Sequence, residues 1–243
     1  MSLIEVRDEG DTRWIGLNRP DKRNAIDQAT SSAFAAALDD ARVRPCVLIV
    51  HSVTPGIFAA GADIAELRER DADAALLAIN AGLFEKLEAH RWPTIAAVDG
   101  PALGGGCELA LACDFRIASP RAYFGQPELS LGIIAGAGGN WRLAQAAGQQ
   151  VARRMLYAGA RLTAAEARDA GLVDELADDP SAAAVVLAGK ITRQSWRALE
   201  LTKLALRSHR PATTTFDVAA QALLFGSQDK YDRMTAFLDR RRG

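Results

Sequence analysis

One stretch, residues 94–128, constrains the fold of this chain more than any other. It begins with the apolar run Thr94-Ile-Ala-Ala-Val98, passes through the glycines 104–106 and continues with helical spacing. This order predicts a strand, a tight glycine turn and the first turn of a helix in an α/β fold. Because glycine has no Cβ, a bound group can approach the turn closely, and the unpaired amides that open the helix favour negative charge. The stretch therefore predicts an anion-stabilising site.

Two carboxylates belong to the same stretch. Glu108 lies in the first turn of the predicted helix, and Glu128 follows a second strand-like run, directly after Gln126-Pro127. Together with the anion site they indicate an enzyme that stabilises an oxyanion and moves protons with a pair of glutamates. The alternative is that Glu108 only stabilises its helix and that Glu128 is a surface turn residue. Taken singly, either glutamate would favour that alternative.

Composition limits the partners and the compartment. The chain has 243 residues, of which 49% are hydrophobic and 24% charged, which is typical of one large globular domain. A formal net charge of −1 argues against nucleic acid or an anionic membrane as a partner. The three cysteines, Cys46, Cys107 and Cys113, form no CxxC pair and indicate a reducing compartment. No signal peptide and no run long enough to span a membrane is evident, so we expect a cytoplasmic protein.

The rest of the chain alternates between strand and helix patterns up to about residue 180. Strands are predicted at residues 3–6, 14–17, 47–50, 115–118, 122–125 and 172–173, and helices at residues 27–41 and 76–89. Asp63 is a plausible N-cap, and the capping box Thr163-Ala-Ala-Glu166 begins a further helix that Gly171 ends. Beyond residue 180 only helical spacing is evident, with Pro211 between two helices. We therefore expect an α/β core over residues 1–180 and a helical region over residues 181–243.

A series of short motifs runs along nearly the whole chain. They are Asn18-Arg-Pro with Asn24-Ala, Phe58-Ala-Ala-Gly-Ala-Asp-Ile64, Ile95-Ala-Ala-Val-Asp-Gly, Gly104-Gly-Gly-Cys-Glu-Leu109 with Cys113-Asp, Phe124-Gly-Gln-Pro-Glu-Leu129, Gly136-Ala-Gly-Gly139, Ala170-Gly-Leu-Val173, and Met234-Thr-Ala-Phe-Leu238 with Arg240-Arg241. In this order they resemble the crotonase, or enoyl-CoA hydratase/isomerase, superfamily. The resemblance implies a crotonase-like spiral of ββα turns. It also implies a helical C-terminal region that packs against neighbouring subunits in a homotrimer or a dimer of trimers.

The resemblance also assigns a site. Glu108 and Glu128, which lie 20 positions apart, match the two glutamates of the family's hydratases. Ala62 and Gly105 match the two residues whose backbone amides form the oxyanion hole for the thioester carbonyl. Further contacts with the substrate are expected from Lys22, Arg23, Ala60, Asp63, Ile64, Gly104 and Trp141. No metal and no cofactor is implied, since coenzyme A is part of the substrate.

Hydration explains why two glutamates are needed. Adding water to a conjugated double bond requires one group that activates water and one that delivers a proton to the α-carbon. We expect Glu128 to protonate the α-carbon and Glu108 to fix and activate the water. Such a pair should titrate together, with one proton hard to remove near neutral pH. The alternatives are a Δ3,Δ2-enoyl-CoA isomerase, which needs one glutamate, or a non-catalytic member that binds acyl-CoA or RNA.

Four residues at three sites depart from the hydratase pattern. Ala135 stands where proline is usual, Asn140-Trp141 replaces a common Thr-Gln pair, and Arg233 replaces a frequent glycine. The first two concern the acyl site, so the sequence leaves the acyl chain length and the pathway open. Cys107 has no histidine near it in sequence, which favours a small buried residue over a nucleophile.

Overall fold

A six-stranded sheet forms the centre of the protein. The computed structural model describes residues 2–69 and 78–207. In spatial order the strands are β1 (Ile4–Glu9), β2 (Thr12–Leu17), β3 (Val47–Ser52), β4 (Thr94–Val98), β6 (Phe115–Ala118) and β9 (Glu175–Leu176). β1 pairs with β2 antiparallel, whereas all the other neighbours are parallel. The parallel strands read as continuous apolar runs because both faces of the sheet are covered.

A smaller sheet of three strands carries the glycine turn. It consists of β5 (Pro101–Leu103), β7 (Tyr123–Gly125) and β8 (Arg161–Thr163), with β5 parallel to β7 and β7 antiparallel to β8. A parallel bridge between Ala59 and Ala102 brings residues 59–62 alongside β5. Residues 59–62, β5 and β7 therefore run parallel and end side by side at one edge of this sheet. The loops that follow these three segments meet at that edge.

Eight helices and two 3-10 segments complete the described chain. The helices are α1 (Gln28–Asp40), α2 (Ile64–Glu69), α3 (Ile79–Glu88), α4 (Gly105–Leu111), α5 (Gly139–Ala158, kinked at Gly148), α6 (Ala164–Asp169), α7 (Pro180–Ile191) and α8 (Trp196–Arg207). The 3-10 segments are Pro20–Lys22 and Glu128–Leu131. Among these described helices, none combines the length and the apolar character that crossing a membrane requires.

The core has a separate layer on each face of the large sheet. Successive residues of a strand point to opposite faces. Leu48 and Val50 of β3 accordingly join one buried cluster with residues of α1, α3 and α4, whereas Ile49 packs with Ala184 and Ala188 of α7. All seven residues of α4 are buried. A glutamate on α4 therefore lies in the interior of the protein, where a charge needs specific support.

Most of the predicted elements are confirmed. The α/β class, the early strands, α1, the Asp63 cap of α2, the Thr163 capping box and the positive φ of Gly171 are all present. The described residues after 180 form helices as expected, and the division at that residue stays a prediction. Leu76, Pro211, Arg233 and the motif at residues 234–241 lie outside the described residues.

The prediction of a strand at Leu172-Val173 is wrong. The amides of both residues donate to the carbonyl of Ala167 and close the end of α6, so they cannot pair in a sheet. The last strand begins three residues later, at Glu175. The strands β5 and β8 were not predicted from the sequence.

Candidate active site

A cavity of about 590 Å³ lies at the edge where the parallel segments end. Among the described residues that line it, polar side chains belong only to Asn80, Glu108 and Glu128. Most of the large side chains form an apolar wall, which consists of Ile64, Leu67, Ile79, Leu131, Ile133 and Ile134. The two glutamates that the sequence singled out therefore face the same, mostly apolar, cavity.

Ala62 and Gly105 are brought together by strand register. Ala59 and Ala102 are paired in parallel, and Ala62 and Gly105 each lie three residues further along their segments, so they come side by side. Each follows a glycine with positive φ, +102° at Gly61 and +50° at Gly104, a conformation that turns the next peptide out of the strand direction.

Both amides at these positions are available for a ligand. Within residues 2–69 and 78–207, neither the Ala62 amide nor the Gly105 amide donates a hydrogen bond to the protein. A Cβ built at Gly105 would lie 3.6 Å from the Ala62 nitrogen, so the two amides are near neighbours at the cavity wall. Two adjacent, unpaired amides can hold one anionic oxygen.

Glu108 is held by the glycine-rich loop before α5. Its Oε1 accepts hydrogen bonds from the amides of Ala137 and Gly139, both at 2.8 Å. Burial raises the pKa of Glu108, while the two amides and the nearby charge of Arg142 act in the opposite direction. The amides favour the ionised form and fix the carboxyl through Oε1. No hydrogen bond from a described residue reaches Oε2, so this oxygen can take a ligand.

Glu128 is buried as well, next to the glycine turn. Its side chain is adjacent to Gly104, where an added Cβ would come within 2.8 Å of Oε1. Gln126, in the amide orientation that pairs donors with acceptors, donates to both carboxyl oxygens at 3.0 Å. Burial, and to a smaller extent the charge of Glu108, raises the pKa of Glu128 to about 7. This raised pKa has the direction expected for one proton that is hard to remove near neutral pH, with burial as the larger cause, and the joint titration of the pair stays a prediction.

The other predicted contact residues divide into two groups. Ala60, Ile64 and Gly104 line the cavity, whereas Lys22, Arg23, Asp63 and Trp141 lie outside its wall. Lys22 and Arg23 are exposed, although the Arg23 carbonyl accepts a hydrogen bond from the Ala60 amide at 3.0 Å. This bond ties the polar loop of residues 18–24 to the rim of the cavity.

Asp63 and Trp141 have structural partners. Asp63 forms an ion pair with Arg19 at 3.2 Å. Trp141 is 41% exposed and stacks on the guanidinium of Arg142 at 4.4 Å. The carbonyl of Ala135, which replaces the family's usual proline, accepts a hydrogen bond from Asn140 at 3.0 Å. This bond ties the start of the loop to the first turn of α5.

Several residues at the site were not predicted from the sequence as functional. They are Gln126, Ala137, Gly139 and Arg142. Gln126 falls inside a recognised motif, so its position carried a signal that was not assigned. Ala137 and Gly139 act through backbone amides, which every residue except proline possesses, and no side-chain pattern marks them.

Other reactive groups lie away from the cavity wall. Cys107 is fully buried next to Glu108, and burial raises the pKa of its thiol. His90 is buried, its Nε2 has no hydrogen-bond partner within the described part of the chain, and burial lowers its pKa to about 3. In the part of the chain that the structure describes, no three His, Cys, Asp or Glu side chains cluster as a metal site would require.

Comparison with known proteins places this site in a family. The family model described as enoyl-CoA hydratase/isomerase matches residues 10–243. The 2,3-dehydroadipyl-CoA hydratase of Escherichia coli strain K12 is 39% identical over 99% of this chain and 97% of its own length. The crotonyl-CoA hydratase of Syntrophomonas wolfei is 38% identical over 93% of this chain and 91% of its own.

A solved structure agrees with the fold. The enoyl-CoA hydratase from Bacillus anthracis superposes with a TM-score of 0.93 at 30% identity, covering 98% of this chain and 97% of that one. The fold is therefore the expected crotonase fold, and the glycine turn, the two glutamates and the loop before α5 all lie within the matched region. The chain belongs to the enoyl-CoA hydratase/isomerase family.

Proposed function

We propose that this protein is an enoyl-CoA hydratase that adds water to a 2-trans-enoyl-CoA to give a 3-hydroxyacyl-CoA. The observation that carries the proposal is the pair of buried carboxyl groups in one apolar cavity, next to two backbone amides with no acceptor among the described residues. The names of the relatives, which include a crotonyl-CoA hydratase and a 2,3-dehydroadipyl-CoA hydratase, support the same reaction.

In this proposal the amides of Ala62 and Gly105 bind the thioester carbonyl oxygen. Addition at the β-carbon turns the thioester into an enolate, and negative charge grows on that oxygen. Fixed donors then stabilise the transition state more than the ground state, and one such donor is worth about 3 kcal/mol. The proximity of the two amides supports this role, as does their lack of acceptors among the described residues.

The two glutamates divide the proton transfers. Glu108, held through Oε1 by two amides that favour its ionised form, takes a proton from water as the water oxygen bonds to the β-carbon. Glu128, whose pKa of about 7 keeps much of it protonated near neutrality, gives its proton to the α-carbon. The reaction adds H and OH to the substrate, and one proton must then pass from Glu108 to Glu128 to restore the enzyme. Both carboxyl groups are buried, but two backbone amides and the charge of Arg142 favour the ionised form of Glu108, whereas the pKa of Glu128 is raised to about 7, and this contrast supports the division.

The cavity favours an uncharged acyl chain. The apolar wall can cover a hydrocarbon chain, and within the described lining no lysine or arginine is present to pair with a terminal carboxylate. We therefore propose a substrate with an apolar acyl group, bound with its chain along the apolar wall.

Assembly, compartment and the coenzyme A contacts complete the proposal. The family resemblance supports a homotrimer or a dimer of trimers, and the three free, buried cysteines are compatible with a reducing cytoplasm. Lys22 and Arg23, on the loop tied to the cavity rim, would contact the coenzyme A phosphates. The enzyme would need no cofactor besides the coenzyme A of its substrate.

An absorbance assay tests the proposal. Loss of the conjugated thioester of crotonyl-CoA is followed for the wild type, Glu108→Gln and Glu128→Gln, with Glu85→Gln as a matched control because Glu85 is exposed on α3. Each site variant should lose at least about 100-fold in kcat, which is the usual contribution of a general acid or base, while the control stays active. Full activity in either site variant would contradict the two-carboxylate mechanism.

A further inference from the structure

Arg142 is a buried arginine whose contacts lead directly to Glu108. It lies in the first turn of α5 and is only 4% exposed. One arm, Nη2, pairs with Glu88 at the end of α3 at 2.7 Å, and the other, Nη1, donates to the Ala137 carbonyl at 2.7 Å. The amide of the same Ala137 donates to Oε1 of Glu108 at 2.8 Å. Ala137 is therefore clamped between the guanidinium and the carboxylate.

The surroundings of Arg142 are shaped for this contact. Gly138 has a φ of +103°, and an added Cβ there would collide with Nη1 of Arg142. The ring of Trp141 stacks on the guanidinium at 4.4 Å. These neighbours fix the plane of the guanidinium, and this plane sets the direction in which each arm donates.

A structural role alone would not favour an arginine here. Burying a guanidinium is costly, and its Nε has no hydrogen-bond partner among the described residues. An apolar side chain of similar length would fill the same volume without that cost. The features that only arginine supplies are a fixed positive charge and two diverging donors aimed at Glu88 and at Ala137.

We propose that Arg142, anchored by Glu88, is a positioning residue that holds the loop of Ala137 and Gly139 so that their amides fix Glu108 with one oxygen free for water. This inference rests on the proposed hydratase function, in which Glu108 activates the water. It adds residues that touch neither the substrate nor the reacting atoms, and it assigns the loop before α5 a catalytic purpose beyond lining the cavity.

The charge of Arg142 gives the proposal a measurable signature. Among the described residues, the ionisable groups around Glu108 are Glu128 on the 3-10 segment, Arg142 on α5, Glu88 of α3 through Arg142, and the buried thiol of Cys107 on α4 itself. Arg142 stabilises the ionised form of Glu108, so its removal raises the pKa of that carboxyl. The acidic limb of the kcat profile, which reports the carboxylate that must be ionised, should then move to higher pH.

Three variants test the inference with crotonyl-CoA as substrate. Arg142→Met keeps the length of the side chain and removes its charge and donors. Its kcat should fall about 100-fold with KM nearly unchanged, as expected when a reacting group is misplaced by about 1 Å, and its acidic limb should move up. Arg142→Lys keeps the charge, so its acidic limb should stay near that of the wild type while kcat is only partly restored. Arg153→Met, which alters an exposed arginine of the same helix, should change none of these quantities.

Glu88→Gln provides a second route if Arg142→Met folds poorly. This variant leaves Arg142 in place without its carboxylate partner, so the positive charge near Glu108 is less compensated. Its acidic limb should move slightly to lower pH, opposite to the shift in Arg142→Met. Variants that lose only unfolding stability, with kcat per folded enzyme and the acidic limb unchanged, would overturn the proposal. A wild type without hydratase activity would instead refute the proposed function, so the two failures are distinguishable.

Discussion

Replacing Glu128 by glutamine should change how stability depends on pH as well as abolish most of the activity. The folded protein holds the Glu128 proton until about pH 7, against an ordinary pKa of 4.5, because the side chain is 9% exposed and faces an apolar cavity. The difference of about 2.5 pH units corresponds to at most about 3 kcal/mol of unfolding free energy. A single buried carboxyl thus costs a sizeable part of the stability of an ordinary domain.

The direction of the effect follows from proton counting. Between pH 4.5 and about 7 the folded state binds the proton of Glu128 and the unfolded state has lost it, so stability falls as pH rises. Below pH 4.5 Glu128 is protonated in both states, so it causes no loss of stability. Above about pH 7 the loss of stability is complete. Glutamine cannot ionise. At pH 4.5 the variant should therefore differ from wild type only through its altered hydrogen bonds. By pH 8 its unfolding free energy should rise by up to about 3 kcal/mol relative to wild type.

Urea unfolding of wild type and Glu128→Gln at pH 4.5, 6 and 8 measures this directly, at one fixed protein concentration so that assembly does not vary. Any difference in hydrogen bonding with Gln126 shifts all three values equally and leaves the pH dependence intact. Glu85→Gln, at an exposed position on α3, serves as the control, and the stability difference between this variant and wild type should depend much less on pH. A stability difference between Glu128→Gln and wild type that is the same at pH 4.5 and pH 8 would refute the reasoning.

Three further outcomes are expected. Gly104→Ala should lose about 100-fold in kcat, because its Cβ would displace Glu128. Gly10 has a similar positive φ, and no described atom lies within 4 Å of a Cβ added there, so Gly10→Ala should keep its activity. Equal kcat in the two variants would contradict this. The thiols of Cys46, Cys107 and Cys113 are buried, and burial raises the pKa of each, that of Cys113 to about 12. Iodoacetamide should therefore label them in urea but not in the native protein. Rapid labelling of the native protein, detected by mass spectrometry, would disprove their burial. Crotonyl-CoA should be hydrated with a kcat/KM at least about 10-fold above that for 2,3-dehydroadipyl-CoA, because the apolar wall offers a terminal carboxylate no partner; equal values would refute that account of the wall.

The sequence predicted the parts of the site that depend on distinctive side chains. Glu108 and Glu128 were identified by residue type and by the motifs around them, and both line the cavity. Ala62 and Gly105 were assigned through the family resemblance. The physical reason that these two positions meet, the parallel pairing of Ala59 with Ala102, joins segments more than 40 residues apart and leaves no local pattern.

The missed elements share a physical explanation. Strand β5 is three residues long and lies between two glycines, too short for any periodicity to be visible. Residues 172–173 have the apolar character of a strand, but their amides are used to end α6. Arg142 looks in sequence like the exposed Arg153 on the same helix, and only its burial and its two partners distinguish it. A role that a common residue type takes on only through its tertiary contacts could not be predicted from the sequence.

The central claim is that the cavity adds water across a double bond, and isotope labelling tests it most directly. Crotonyl-CoA is incubated with the enzyme in water enriched in oxygen-18, and the product is analysed by mass spectrometry. The account predicts 3-hydroxybutyryl-CoA with one heavy oxygen at the β-carbon, formed by the wild type and strongly reduced in Glu108→Gln and Glu128→Gln. A product in which only the double bond has moved, without heavy oxygen, or the absence of turnover, would contradict it.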